Sequence, residues 1–134
     1  MLDLTELKAQ RKHYSCSCRN VGEDKIVRLF DNNDDLIGVL KMADLDDSGY
    51  YEVMESECKV KGAGKMLYYY AMHFIYPSFL APDLCGFSND ANRVWQALYS
   101  AEFVEKKPIE CITIGEEIKG FNYGAFMCRF TWKQ

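Results

Sequence analysis

A strand pattern, a short stretch with two glycines and a helix pattern follow one another between residues 49 and 77. This succession constrains the fold more than any other part of the sequence. The segment "GYYEVMESEC" alternates with a period of two, so Tyr51 and Val53 are predicted on one face of a strand and Glu52 and Met54 on the other. After the glycines, apolar pairs recur every four residues until a proline ends the pattern, as in a helix that packs on a sheet.

The remaining elements are predicted from the same two periodicities. Residues 2–11 can form a short helix, "HYSCSC" alternates like a strand, and "KIVRLF" and "LIGVLKM" are predicted as a hairpin around "DNNDD". After the long helix we expect a short strand at residues 84–87, a helix capped by Ser88 and two closing strands near residues 110–114 and 123–131. This order predicts an α/β (α+β) fold with a mixed sheet.

The composition is that of a folded protein. With 134 residues, no Ser/Gly/Pro-rich linker and 49% apolar residues, the chain is expected to form one domain over residues 1–134. The N-terminus lacks the apolar stretch of a signal peptide, and the most apolar window, 66–75, is too short to span a bilayer, so a cytoplasmic protein without a membrane partner is expected. A net charge of −4 without a basic, aromatic-interleaved run disfavours nucleic-acid binding.

The six cysteines could in principle pair or bind a metal. Cys16 and Cys18 fall in a strand pattern and the others are scattered among apolar neighbours, so reduced, mostly buried thiols are predicted. Zinc sites use closely spaced cysteine pairs or nearby histidines, whereas here no second pair matches the first and the histidines are His13 and His73. We expect no metal.

The glycine-bearing loop has the features of an anion site. Backbone N–H groups are exposed at the start of a helix, the helix dipole is positive there, and glycines let a phosphate approach the backbone. A P-loop would need a hydroxyl residue where Met66 stands, and a Rossmann fingerprint would need a third glycine where Leu67 stands. The alternative without a ligand is that Gly62 and Gly64 only make a tight turn.

The loop resembles the pyrophosphate loop of the GNAT superfamily of N-acetyltransferases, which follows a long strand with the pattern Q/R-x-x-G-x-G/A. Residues 59–64, "KVKGAG", match both glycines, with Lys59 in place of Gln or Arg. The stretch "LAPDLCGFSNDANRVWQALY" is similar to the next segment of small GNAT proteins, including a group common in bacteriophage genomes. The resemblance covers residues 49–105. Its matched positions in the second stretch are Pro82, Asp83, Ser88, Ala91, Val94, Trp95 and Tyr99.

This resemblance implies a GNAT-like mixed, mostly antiparallel central sheet flanked by helices, with acetyl-CoA (CoA) as the cofactor. The loop and the start of its helix would bind the pyrophosphate, and the backbone of residues 54–56 would pair with the pantetheine arm. The cofactor-binding residues implied in this way are Met54, Glu55, Ser56, Lys59, Lys61, Gly62, Ala63, Gly64, Lys65 and Met66.

The resemblance also implies catalytic residues. In the reaction of this family an amine attacks the acetyl thioester directly, so the protein must take a proton from the ammonium and give one to the thiolate. Glu52 and Glu55 are the candidate bases, on opposite faces of the strand unless the β-bulge usual in the family shifts the register. Tyr99 is the candidate acid, with core packing beside Trp95 as its alternative role. The tyrosines at 68–70 are predicted to be structural.

Three functions remain open at this point. One is an N-acetyltransferase that acts on a protein lysine, a protein N-terminus or a small amine. Another is a catalytically inactive GNAT-like binding or inhibitor module that acts on a host protein, and a third alternative is a binder of longer acyl-CoA chains. The acidic charge balance would suit a basic acceptor. Exposed sheet edges could pair two copies into a homodimer.

Overall fold

The computed structural model describes residues 2–44, 49–83, 89–108 and 126–132, with side chains described at all of these positions except 89 and 90. The helices are α1 Leu4–Gln10, α2 Gly64–Ile75 and α3 Asn89–Ser100, and a 3-10 turn at Arg11–His13 follows α1. The strands are β1 Ser15–Val21, β2 Asp24–Phe30, β3 Leu36–Asp44, β4 Tyr50–Cys58, β5 Phe79–Ala81, β6 Val104–Pro108 and β7 Phe126–Phe130.

The strands form one seven-stranded sheet in the order β1-β2-β3-β4-β5-β7-β6. Neighbouring strands are antiparallel except β4 and β5, which are parallel because α2 carries the chain back across the sheet between them. The predicted α+β architecture, with a mixed and mostly antiparallel sheet flanked by helices, is therefore confirmed. The predicted order of elements also holds.

Two strands lie where the sequence analysis predicts none. One is β5 at Phe79–Ala81, shortly after Pro77, and the other is β6 at Val104–Pro108. The strands predicted at residues 84–87 and 110–114 lie outside the described residues. A strand of three residues is too short for alternation to reveal it, and β6 is mostly polar. Both strands are set by pairing with β4 and β7.

The core lies between α2 and the sheet face that carries Val27, Leu40 and Met42, all fully buried. Helix α2 is buried around nearly its whole circumference, and its tyrosines at 68–70 are at most 6% exposed, as predicted. The ring of Tyr68 packs edge-on against Trp95 of α3, and the ring of Tyr69 packs tilted against Phe130 of β7. Among the helices that the structure describes, none is long and apolar enough to cross a lipid bilayer.

The described cysteines are free thiols, and they differ in burial. Cys128 is fully buried, whereas Cys16, Cys18 and Cys58 are half-buried. These three pack partly buried against the hydrophobic core, although β1 is an edge strand and Cys58 is the last residue of β4. Cys85 and Cys111 lie outside the described residues. Partial burial still raises the pKa of Cys16 to about 11, so this thiol stays protonated at neutral pH.

A glycine in β3 allows α2 to approach the sheet closely. An added Cβ at Gly38 would lie 2.9 Å from Cδ1 of Leu67 and 3.3 Å from the carbonyl oxygen of Glu57. Leu67 is only 1% exposed and has no room to move aside. Gly38→Ala is therefore expected to lower the free energy of unfolding by about 1–3 kcal/mol. Urea denaturation measures this loss, and an unchanged midpoint would contradict the close approach.

Candidate cofactor and active site

Strand β4 contains a β-bulge at Met54. The pairing with β3 passes from Met42 opposite Val53 to Lys41 opposite Glu55, so Met54 is an extra residue with no counterpart on β3. Its side chain is 46% exposed. The regular alternation of the strand is broken at this point, and every residue after Met54 changes face relative to a bulge-free strand.

The bulge brings the two candidate bases to the same face of the sheet. Glu52 pairs with Ala43 and Glu55 pairs with Lys41, and these two partners are two positions apart on β3. The prediction that the glutamates lie on opposite faces is therefore wrong, because β4 contains the β-bulge that shifts the register between them. The two differ in environment: Glu55 is exposed, whereas Glu52 is 8% exposed and is the buried charged side chain of the described residues.

One edge of β4 is open along most of its length. Strand β5 pairs with β4 only at residues 50–52, and β5 ends at Ala81. Over residues 53–58, no strand in the described part of the chain pairs with this side of β4. Backbone N–H and C=O groups are therefore available there for a ligand.

A cleft of about 860 Å³ lies beside this open edge. The end of β4, the glycine loop at residues 59–62 and the first turn of α2 form one side, and α3 contributes Ala91, Arg93, Val94 and Ala97 on the other. Leu2, just before α1, lies at the mouth. The cleft therefore runs from the loop along the edge of β4 and beneath α3.

Different structural reasons account for glycine at positions 62 and 64. Gly62 has a positive φ of +87°, which the tight turn requires and which a side chain would strain. Gly64, the first residue of α2, has no such φ, and a Cβ added there would meet no atom within 4 Å. A turn alone therefore explains Gly62 but not Gly64. The space beside Gly64 belongs to the cleft.

Alanine at these two positions should separate folding from binding. Gly62→Ala is expected to cost about 1–2 kcal/mol of stability, because alanine is strained at this φ. Gly64→Ala is expected to leave stability unchanged or raise it by about 0.5–1 kcal/mol, because alanine favours a helix, while it weakens any ligand that touches the loop backbone. Thermal unfolding of the two variants measures the difference in their stability. Equal destabilisation by both substitutions would contradict the distinction.

The loop offers N–H groups and positive charge to the cleft. The N–H of Ala63 donates to the carbonyl of Val60 and the N–H of Met66 to that of Ala63, at 3.2 and 3.0 Å. The N–H groups of Gly64 and Lys65 lie in the first turn of α2, where an N–H group has no carbonyl partner within the helix. Basic side chains around the cleft are Lys59, Lys61, Lys65 and Arg93, and Lys65 pairs with Glu6 of α1 at 3.1 Å.

Six of the ten predicted cofactor-binding residues line this cleft, namely Ser56, Lys59, Lys61, Gly62, Gly64 and Lys65. Four do not. The side chains of Ala63 and Met66 are buried in the core at 1% and 0% exposure, since they face the sheet from the start of α2. Met54 and Glu55 lie further along β4, at the bulge.

Tyr99, the predicted acid, is near the end of α3 and does not line the described cleft. It is 39% exposed, and its ring contacts Phe126 of β7 edge-on, with centroids 5.2 Å apart. Strand pairing aligns Leu80 with Cys128 and Tyr51 with Leu80. Phe126 lies two residues from Cys128 on β7, so the same register places it close to the row of Val53, which lies two residues beyond Tyr51 and next to the bulge.

Tyr68 lines the cleft although the sequence indicated only a packing role. Its hydroxyl is 3.1 Å from Oγ of Ser56 on β4. Burial raises the pKa of Tyr68, and hydrogen bonding with Ser56 and Trp95 lowers it by less, so the hydroxyl stays protonated at neutral pH. The signal for its position was spacing, because residues four apart on a helix share a face and Tyr68 follows Gly64 by four.

Within the described residues, no three His, Cys, Asp or Glu side chains gather closely enough to hold a metal ion. The cleft is lined mainly by basic, hydroxyl and apolar groups, together with the carboxylate residue Glu57 and the thiol residue Cys58. Such a lining suits an organic anion with an extended, amide-containing part.

This chain is similar to known proteins in structure, but no match was found by sequence. No family model and no curated protein matches the sequence. A nourseothricin acetyltransferase is similar in structure, with a TM-score of 0.49 and 10% identity over 88% of this chain and 84% of that protein. An acetyltransferase of the GNAT family from Staphylococcus aureus Mu50 has a TM-score of 0.49 and 15% identity over 96% of this chain and 80% of that protein. At these TM-scores and identities the similarity carries no inference about this chain.

Proposed function

We propose that this protein is an N-acetyltransferase of the GNAT type, which moves an acetyl group from acetyl-CoA to an amine by direct attack. The observation that carries the proposal is Gly64. Its missing side chain serves neither the backbone conformation nor the packing, and it borders a cleft at the start of a helix. The approach of a ligand to the loop backbone accounts for it.

The lining of the cleft fits the parts of CoA in order. The helix start and loop N–H groups suit a pyrophosphate, and Lys59, Lys61 and Arg93 would add attraction for the phosphates. The open edge of β4 beyond Glu52 suits the amide groups of a pantetheine arm, since an extended amide chain can pair with a strand edge. The arm would then end near the bulge at Met54.

The chain's own residues would supply the proton transfers. Acetyl-CoA brings an activated thioester carbonyl. Glu52 or Glu55 would accept the proton of the attacking ammonium, directly or through one water, and the bulge favours this by bringing both to one face. Tyr99 would donate a proton to the departing thiolate, which its position beside Phe126, close to the row of the bulge, supports.

The acceptor is proposed to be a cationic amine. The acidic side chains of Glu52 and Glu55 on one face would attract an ammonium group and repel an anionic acceptor. Protein lysines, protein N-termini and small amines all satisfy this chemistry. The charge of the whole chain, −4, acts in the same direction.

A broad acceptor panel tests the proposal. The protein is incubated with acetyl-CoA and lysine peptides, N-terminal peptides and polyamines, and products are analysed by mass spectrometry for the addition of one acetyl group. Enzyme-dependent acetylation of an amine supports the proposal. CoA binding without acetylation of any acceptor would favour the inactive binding module, and absence of CoA binding would contradict the acetyltransferase.

A further inference from the structure

The seven-stranded sheet ends in two edge strands, β1 and β6, which differ in how they are protected. An edge strand offers unpaired backbone groups to other chains, and charged side chains and proline are common protections against such pairing. Strand β6, Val104–Pro108, contains a glutamate, two lysines and a proline. The ammonium of Lys106 also donates to the carbonyl oxygens of Ala101 and Val104, at 2.8 and 3.0 Å. This edge is therefore protected.

Strand β1 lacks these protections. Residues 15–18 are serines and cysteines, the strand contains no proline or lysine, and its charged residue is Arg19. Its seven residues pair with β2 in an unbroken register, without a bulge that would twist the edge away. Every residue of β1 is exposed or half-buried. The free side of β1 is therefore a regular template for another strand.

The hairpin between β1 and β2 determines which backbone groups point outward. Val21 pairs with Asp24 across a two-residue loop, and Gly22 has a φ of +63°, as in a type II′ turn. The two residues that flank such a loop exchange hydrogen bonds, and this bonding alternates along an antiparallel pair. The N–H and C=O groups of Cys16, Cys18 and Asn20 therefore face away from β2.

Antiparallel pairing with the β1 strand of a second copy satisfies these outward groups. Cys18 is the central residue of the strand, so a twofold axis at Cys18 pairs the full length of both strands. Cys16 then lies opposite Asn20 of the second copy, and the outward groups bond across the axis. Arg19 lies opposite Ser17, so the two strands oppose no like charges.

Charges beyond the two ends of β1 match in this arrangement. The 3-10 turn before β1 consists of Arg11, Lys12 and His13, all exposed, whereas the hairpin turn after β1 carries an exposed Glu23 followed by Asp24. Antiparallel pairing brings the start of one β1 beside the end of the other. Each acidic turn would therefore lie beside the basic segment of the second copy, and the symmetry makes this contact twice.

We infer that β1 is the interface of a homodimer, in which two copies join edge to edge and form one continuous sheet. The complementary charges at the two ends of the strand favour a second copy of this chain over an unrelated peptide. Strands β2 and β3 separate this interface from β4 and its cleft. The inference is therefore independent of the proposed acetyltransferase function.

A proline at the centre of β1 tests the interface. Cys18→Pro removes an N–H group that faces outward, so the bonds to β2 remain while the ring obstructs the second copy. In sedimentation equilibrium with a reductant, the wild type should show the mass of two chains and Cys18→Pro the mass of one. Cys18→Ser is the matched control. It keeps the N–H group and removes the thiol, so it should dimerise like the wild type.

Charge reversal tests the antiparallel arrangement with side chains that are exposed and do not support the core. Glu23→Lys and Lys12→Glu should each raise the dissociation constant of the dimer by about tenfold, because like charges then meet at both ends of the interface. The double variant restores opposite charges and should recover most of the lost affinity. Circular dichroism verifies that each variant is folded.

The outcomes decide the inference separately from the function. A wild-type protein that stays monomeric at all concentrations overturns it, and so does a dimer that survives Cys18→Pro and both charge reversals. If Cys18→Pro does not fold, the charge reversals decide alone. Single reversals that weaken the dimer without recovery in the double variant overturn the antiparallel arrangement. Loss of CoA binding in a dimeric protein would contradict the proposed function only.

Discussion

A tryptophan in place of Gly64 is expected to abolish CoA binding without unfolding the protein. A Cβ at this position meets no atom within 4 Å, so the indole can be accommodated, but only by entering the cleft that Gly64 lines. It would cover the loop backbone and the start of α2. CoA affinity should fall by about a hundredfold or more, which corresponds to about 2.7 kcal/mol. Calorimetric titration measures the affinity, and circular dichroism with thermal unfolding verifies the fold.

A tryptophan at the other end of the same helix is the control. Phe74 is 37% exposed near the end of α2 and does not line the cleft. Phe74→Trp should therefore bind CoA like the wild type. A folded Gly64→Trp protein with undiminished CoA affinity would show that the ligand does not approach the loop.

Glu52→Gln is expected to lower kcat by about a hundredfold or more while CoA affinity stays unchanged. General-base catalysis contributes about 10²- to 10⁴-fold, and the amide keeps the shape of the side chain but accepts no proton at the reaction pH. Glu52 is the better candidate because it is only 8% exposed, so packing restricts the orientation of its carboxylate. Steady-state kinetics with any acceptor identified in the panel measures the effect.

Glu55→Gln is the matched substitution, on the same face but exposed. It should change kcat by less than about threefold, as expected for a solvated carboxylate outside the chemistry. A large loss with Glu55→Gln and none with Glu52→Gln would transfer the base to Glu55. Unchanged rates in both variants would contradict a base on β4.

The strand, the glycine loop and α2 could be predicted because their signals are local. Alternation over residues 49–58, glycines directly after it and apolar pairs up to Pro77 fall within one short stretch. The bulge at Met54 could not be read in this way, since a bulge is defined by pairing with another strand. The consequence was a wrong assignment of faces to Glu52 and Glu55.

The opposite wall of the cleft depended on tertiary packing. Helix α3 lies beside the open edge of β4 and lines the cleft with Arg93, Val94 and Ala97. The sequence pattern of α3 does not predict where the helix packs. A run of tyrosines on a sheet-packed helix predicts a structural role for Tyr68, which its 3% exposure supports, but its hydroxyl also reaches Ser56. A buried tyrosine needs a partner for its hydroxyl, and this need was the available clue.

The most direct test of the central claim, that the glycine loop and the open edge of β4 form a CoA site, is an NMR titration of the wild-type protein with CoA. Backbone amide resonances report the location of the ligand residue by residue. We predict the largest shifts at Gly62, Gly64 and Lys65 and along β4 from Met54 to Cys58, with small shifts in β1 and β2. Saturable shifts elsewhere, or none at these amides at millimolar CoA, would contradict it.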